Sequence, residues 1–209
     1  MTTNALGVEF RRFENRDHEG KAARVVVAVR TYATQREDLW DAITNRERIP
    51  RWFLPIEGDL KLGGRYQLRG NAGGTITRCD APSALDVTWE FGGGMSWVTV
   101  RLDAEGSRTR LTLEHIVHAS DVDAHWAQFG PGAVGVGWDL TLYGLNLHLA
   151  GGGAVVDHEK AHAWMRSEEG KAFMRSSAEA WAEAHILGGE SREVASGMAK
   201  RTAAFYTGS

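Results

Sequence analysis

Residues 121–149 read DVDAHWAQFGPGAVGVGWDLTLYGLNLHL. The stretch opens polar at Asp121 and Asp123, passes Trp126 and Phe129, and breaks at Pro131-Gly132. Val134, Trp138, Leu142, Leu145 and Leu149 then follow at intervals of four, four, three and four residues, which sets them on one face of a helix. Gly135, Gly137 and Gly144 interrupt that helix, and each costs roughly 0.5–1 kcal/mol against alanine. Three such residues call for compensation, either close backbone packing or empty space beside the helix. With an aromatic interior elsewhere in the chain, the second reading points to a cavity.

Working outward, Arg24 to Thr34 reads as a strand, because Val25, Val27 and Val29 share one face and β-branched residues dominate. Val8 to Phe13 fits an edge strand, and Asn15 to Gly20 a turn joining the two. Thr34, three residues before Glu37, has the spacing of a capping box, so a helix is expected to start near Gln35 with Leu39, Trp40 and Ile43 inside. Pro50 ends the helical pattern, leaving a short second piece that stops near Trp52-Phe53.

From Gly58 to His118 the period falls to two. Tyr66 and Leu68 alternate with polar neighbours, Ile76 lies in the strand Thr75–Cys79, and Leu85, Val87, Trp89 and Phe91 alternate with Asp86, Thr88 and Glu90. Val98, Val100 and Leu102, then Leu111, Leu113 and His115, continue the pattern across tight turns. These are signals of about five antiparallel strands with one apolar face. Trp97 has the parity of the solvent-facing set. After Gly151-Gly152-Gly153 the tail reads as helical, with a helix start at Ser167-Glu168-Glu169 and a break at Gly188-Gly189. A curved antiparallel sheet covering one long helix buries every apolar face, with roughly 1.5–3 kcal/mol from each large buried side chain. The fold class expected is therefore α+β, a helix-grip with a helical tail.

Composition narrows the function. Of 209 residues, 43% are hydrophobic and 24% charged, the balance of an ordinary globule. A net charge of -3 without a basic patch speaks against nucleic acid and anionic membranes as partners. The single cysteine, Cys79, excludes an intrachain disulfide framework. The N-terminus has no apolar leader and the long helix falls short of a membrane span, so a cytoplasmic location is expected.

The chain resembles the START-like, birch-pollen-allergen-like superfamily (SRPBCC), in the branch named for the activator of the heat-shock protein 90 ATPase. The resemblance is carried in order by Leu39 to Thr44, Ile49-Pro50-Arg51-Trp52-Phe53, Gly58 to Tyr66, Val87-Thr88-Trp89-Glu90, Thr109 to His115, and Gly137-Trp138-Asp139. It implies an N-terminal edge segment at 1–24, a helix-grip domain at 25–150 and a helical extension at 151–209. It also implies a cavity between sheet and long helix. The fold leaves the function open: relatives include carriers of apolar ligands, cyclase-like proteins and the chaperone activator.

The expected ligand is accordingly a hydrophobic or aromatic small molecule, lined by Trp52, Tyr66, Leu68, Ile76, Trp89, His115, Trp138 and Leu142. His115 reads either as a satisfied core histidine or as a polar group that orients a ligand or moves a proton, with Tyr66 or a cavity water beside it. A chaperone partner is the alternative that the branch name implies. The tail either covers the cavity mouth or makes a homodimer interface. His158-Glu159-Lys160-Ala161-His162 matches the zinc-protease pattern, with Glu179 or Glu183 downstream. It lies in a polar tail, and a solvated helix face is the simpler reading, so neither metal nor cofactor is expected.

Overall fold

A computed structural model describes residues 10–121 and 124–208. Val8 and Glu9 of the expected edge strand, and Asp123, lie outside them. Eight strands form one sheet in the order β1-β2-β8-β7-β6-β5-β4-β3. They are β1 Phe10–His18, β2 Lys21–Tyr32, β3 Ile56–Gly58, β4 Arg65–Leu68, β5 Gly73–Asp80, β6 Ala84–Phe91, β7 Gly94–Glu105 and β8 Arg108–His118. The helices are α1 Arg36–Thr44, α2 Ala124–Phe129, α3 Gly132–Ala150, α4 His158–Arg166, α5 Glu168–Leu187 and α6 Arg192–Thr207, with a 3-10 turn at Ile49–Arg51. This is an α+β chain with an unclosed antiparallel sheet and C-terminal helices, the helix-grip class expected.

Two local expectations are corrected. The first turn is Glu19-Gly20 alone, both at positive φ (52° and 77°), the backbone that a two-residue hairpin requires. β1 therefore runs on to His18 where a longer turn was expected. The N-cap of α1 is Gln35, without a side-chain cap, because the Thr34 hydroxyl donates instead to Asp38 at 2.5 Å. The helix starts in the tail are sharper. Asp157, Ser167 and Ser191 each accept from a backbone N–H three residues on, satisfying donors that α4, α5 and α6 would otherwise leave open.

The chain divides into two compact units, each built from separated segments. The first comprises 1–28, 118–143 and 157–209. Its centre is Asp139 on α3, fully buried, whose Oδ2 accepts from Ser177 Oγ at 2.5 Å, Trp181 Nε1 at 3.1 Å and Arg11 Nε at 2.9 Å. Burial pushes this carboxyl up from its ordinary range, opposed by the Arg11 guanidinium and these hydrogen bonds. Gly135 explains how Trp181 arrives: a Cβ there would lie 2.3 Å from the indole, so only glycine lets the ring rest on the helix backbone. At the break between α2 and α3, Arg201 Nε donates to Gln128 O and Thr202 Oγ1 to Phe129 O, filling carbonyls that the helix end exposes.

The second unit comprises 29–117 and 144–156. It holds the end of α3 through His148, which is fully buried. Arginine can only donate, so His148 Nε2 accepts from Arg48 at 3.4 Å and its Nδ1–H donates to Ala154 O at 2.7 Å. Arg48 also reaches Asp38 and Asp41 at 2.7 and 2.9 Å, tying α1 to the same knot.

Candidate functional site

Strand register decides which side chains share a face of the second unit. Val87 faces Ile76 on β5 and Val98 on β7; Trp89 faces Ser96; Val98 faces His115; and Val100 faces Leu113. Tyr66 faces Gly74 and Leu68 faces Ile56 at the sheet's far edge. Tyr66, Leu68 and Ile76 are buried as one cluster. Phe53, Leu54, Ile56, Leu60, Leu85, Val87 and Trp89 pack on that cluster and remain only half-buried. A mid-sheet strand is flanked on both sides, so residual exposure of Leu85, Val87 and Trp89 means that their face is not sealed. The other face carries the ion pairs Arg65–Glu90 and Arg101–Asp86.

Gly74 is needed at its place on β5. A Cβ there would lie 2.0 Å from the Thr88 carbonyl, and the Tyr66 hydroxyl donates to that same oxygen at 2.8 Å. Burial raises the Tyr66 phenol above its ordinary value, so it stays protonated and acts as a donor.

His115 is the polar point of this face, 8% exposed. Its Nε2 lies 2.9 Å from Ser96 Oγ, while Ser96 Oγ donates to Trp89 O at 3.1 Å. The one hydroxyl proton is thereby used, so the imidazole must donate and carries its proton on Nε2. Burial lowers the His115 pKa to about 4. The ring is neutral near pH 7, edge-on to Trp89 at 6.1 Å, and suited to hydrogen bonding.

Of the residues expected from sequence, Tyr66, Leu68, Ile76, Trp89 and His115 share this face. Trp52 belongs to the same unit but spends its polar end locally: Nε1 donates to Ala42 O at 2.9 Å, and its ring stacks on Phe53 at 5.6 Å. Trp138 and Leu142 belong to the first unit, buried on α3. The α3 glycines do not mark empty space. Gly135 meets Trp181, a Cβ on Gly137 would lie 3.3 Å from Tyr206 Oη, and one on Gly144 would lie 3.0 Å from Trp52 O. Their function is close approach. Trp97 also departs from its parity reading, at 9% exposed, with Ile116 opposite it buried. Ser96 went unread because it follows the Gly92-Gly93-Gly94 turn, although its alternation with Val98 and Val100 was a usable signal.

His158 and His162 are exposed on α4, and Glu179 and Glu183 are exposed on α5, where Glu183 pairs with Arg192 at 2.8 Å. Among the described residues no three His, Cys, Asp or Glu side chains are grouped to hold a metal ion. Cys79 is exposed and unbridged. No helix among the described residues is long and apolar enough to cross a membrane.

Comparison with known proteins fits this architecture. CalU16 from Micromonospora echinospora is 31% identical in its crystal structure, over 84% of this chain and 96% of that one, with a TM-score of 0.67. Its solution NMR structure gives 30%, 86%, 96% and 0.70. That coverage exceeds what residues 1–150 could supply, so the likeness takes in part of the tail. The Aha1 dimer from Colwellia psychrerythraea, 13% identical over 60% of this chain and 95% of that one with a TM-score of 0.51, shares the fold. No curated protein matches. The model of one family, described as activator of Hsp90 ATPase homolog 1-like protein, matches residues 33–150, more than half of the chain, and the chain belongs to that family.

Proposed function

We propose that the protein binds a hydrophobic or aromatic small molecule on the apolar face of its second unit. The observation that carries this is the half-burial of Leu85, Val87 and Trp89 on a strand with neighbours on both sides, beside the buried cluster of Tyr66, Leu68 and Ile76. Apolar walls with a few placed polar groups are the usual make-up of a small-molecule site. His115 and Ser96 supply those groups here. Trp52 borders the face through Phe53; Trp138 and Leu142 are not part of the proposal.

The test is fluorescence titration with N-phenyl-1-naphthylamine. Saturable enhancement is expected from the wild type, with at least about tenfold weaker binding after Val87→Asp, since a charge cannot be buried against the probe. No binding, or binding indifferent to Val87→Asp, would sink the proposal.

The family description favours a second reading, stimulation of a chaperone ATPase. The steady-state ATPase rate of a bacterial 90-kDa heat-shock chaperone, with and without the protein, decides it. Catalysis of a cyclase or hydrolase type through His115 is weaker, because an imidazole of pKa about 4 is a poor proton acceptor near neutrality.

A further inference from the structure

Arg30 on β2 is a buried cation without a counter-ion among the described residues. Its side chain belongs to the second unit and the residue is 5% exposed. Its Nη1 is shut off from solvent and meets no acceptor, and no side-chain hydrogen bond or ion pair of Arg30 occurs among the described residues. The other fully buried charged residue is matched, Asp139 by Arg11, and half-buried Arg48 has Asp38 and Asp41. Arginine keeps its charge at any ordinary pH, and a buried charge is strongly disfavoured unless paired.

What Arg30 does touch is the ring of Tyr32, two residues along the same strand face, 5.5 Å from the guanidinium carbon. Such a contact is weaker than an ion pair. Nor does Tyr32 supply an anion, since burial raises its phenol and keeps it protonated. Next to β2 in the sheet stands β8, and Thr109 Oγ1 donates to Thr34 O at 2.8 Å where the two meet. The end of β2 that carries Arg30 therefore lies alongside the part of β8 that carries Leu111, Leu113 and His115.

We propose that Arg30 is an anion-binding anchor, and that the ligand class is an apolar or aromatic carboxylic acid. The planar fork of a guanidinium matches a carboxylate through two parallel hydrogen bonds. The inference rests on the apolar-face reading above for the body of the ligand, and adds the charged head.

Isothermal titration of the full chain with 2-naphthoate and with its neutral isostere 2-naphthamide tests it. The wild type is expected to bind the acid at least about tenfold tighter than the amide, the scale of a charge-assisted pair. Arg30→Met should bring the two within about twofold while leaving the amide affinity unchanged, and Arg30→Lys should fall between. Glu179→Gln, which removes an exposed carboxylate on α5, should change nothing. Equal wild-type affinities, or a preference that survives Arg30→Met, overturn the anchor and leave the apolar face standing. Acid binding that depends on Arg30 without any amide binding supports the anchor and removes the apolar face; no binding of either probe removes both. A melting curve guards against a folding artefact. Without ligand, Arg30→Met should melt at or above the wild type, because an unmatched buried charge is gone. If it melts lower, the guanidinium has a partner within the chain and the proposal falls.

Discussion

Two tryptophans show how differently the two units are finished. Trp181 in the first is 0% exposed, lies on the bare backbone of Gly135 and donates its indole proton to Asp139. Trp89 in the second sits mid-sheet, half-buried, with a histidine edge-on to it and an unsealed apolar face around it. Around Asp139 the first unit is packed shut, with Arg11, Ser177 and Trp181 converging on one carboxylate. The second leaves apolar surface available. Packing of the first kind supports stability, and surface of the second kind supports binding.

The largest expected effect breaks the closed side. Asp139→Ala leaves Arg11 buried without its partner and should cost about 3–5 kcal/mol in urea unfolding. Trp181→Ala should cost about 3–5 kcal/mol and Trp89→Ala less than half of that, because less of its ring leaves water on folding. Equal losses at the two tryptophans would erase the contrast between the units.

The next effect is a pH dependence. The folded pKa of His115, about 4, lies below the ordinary 6.5, so between those values the unfolded chain takes up a proton that the folded chain refuses. The contribution of His115 to stability therefore falls as pH drops from about 6.5 to about 4, by up to about 3 kcal/mol, and His115→Gln should remove that part of the slope. Asp139 works with the opposite sign. Its raised folded pKa favours the folded chain in acid, and that contribution is lost as pH rises through the folded value. Denaturation curves of His115→Gln and Asp139→Asn across pH 3.5–7 would separate the two.

A smaller effect probes the helix backbone. Gly135→Ala gains roughly 1 kcal/mol of helix propensity. The added Cβ nevertheless collides with the Trp181 ring, so overpacking should leave a net loss of about 1–3 kcal/mol. The smallest concerns α4: His158→Ala and His162→Ala should each stay within about 0.5 kcal/mol of the wild type, as exposed positions do. A zinc-dependent rise in melting temperature lost in either variant would revive the metal-site reading.

How much of this was legible is seen residue by residue. Alternation in Leu85–Phe91 and Val98–Leu102 gave the strands and their faces, because a period of two survives any packing arrangement. The stripe from Val134 to Leu149 gave the long helix, and Ser167 its successor. The site was partly legible: parity grouped Tyr66, Trp89 and His115. Parity misplaced Trp97, because burial of the second face depends on what covers it. The glycines of α3 left close packing and empty space both open, since a missing Cβ looks the same in sequence whether an indole or nothing stands opposite, and close packing is what the structure shows.

By itself the chain determined its class, an antiparallel sheet with a long helix and a helical tail, since those features rest on local period, turn chemistry and caps. Only the tertiary structure decided that Ser96 fixes the proton of His115, that Asp139 gathers Arg11, Ser177 and Trp181, and that Arg30 lies buried with no ion-pair partner among the described residues. Each of those facts joins residues whose closeness no periodicity encodes. Burial then acts on them, turning an ordinary histidine, aspartate or arginine into a group whose charge state and partners depend on its surroundings.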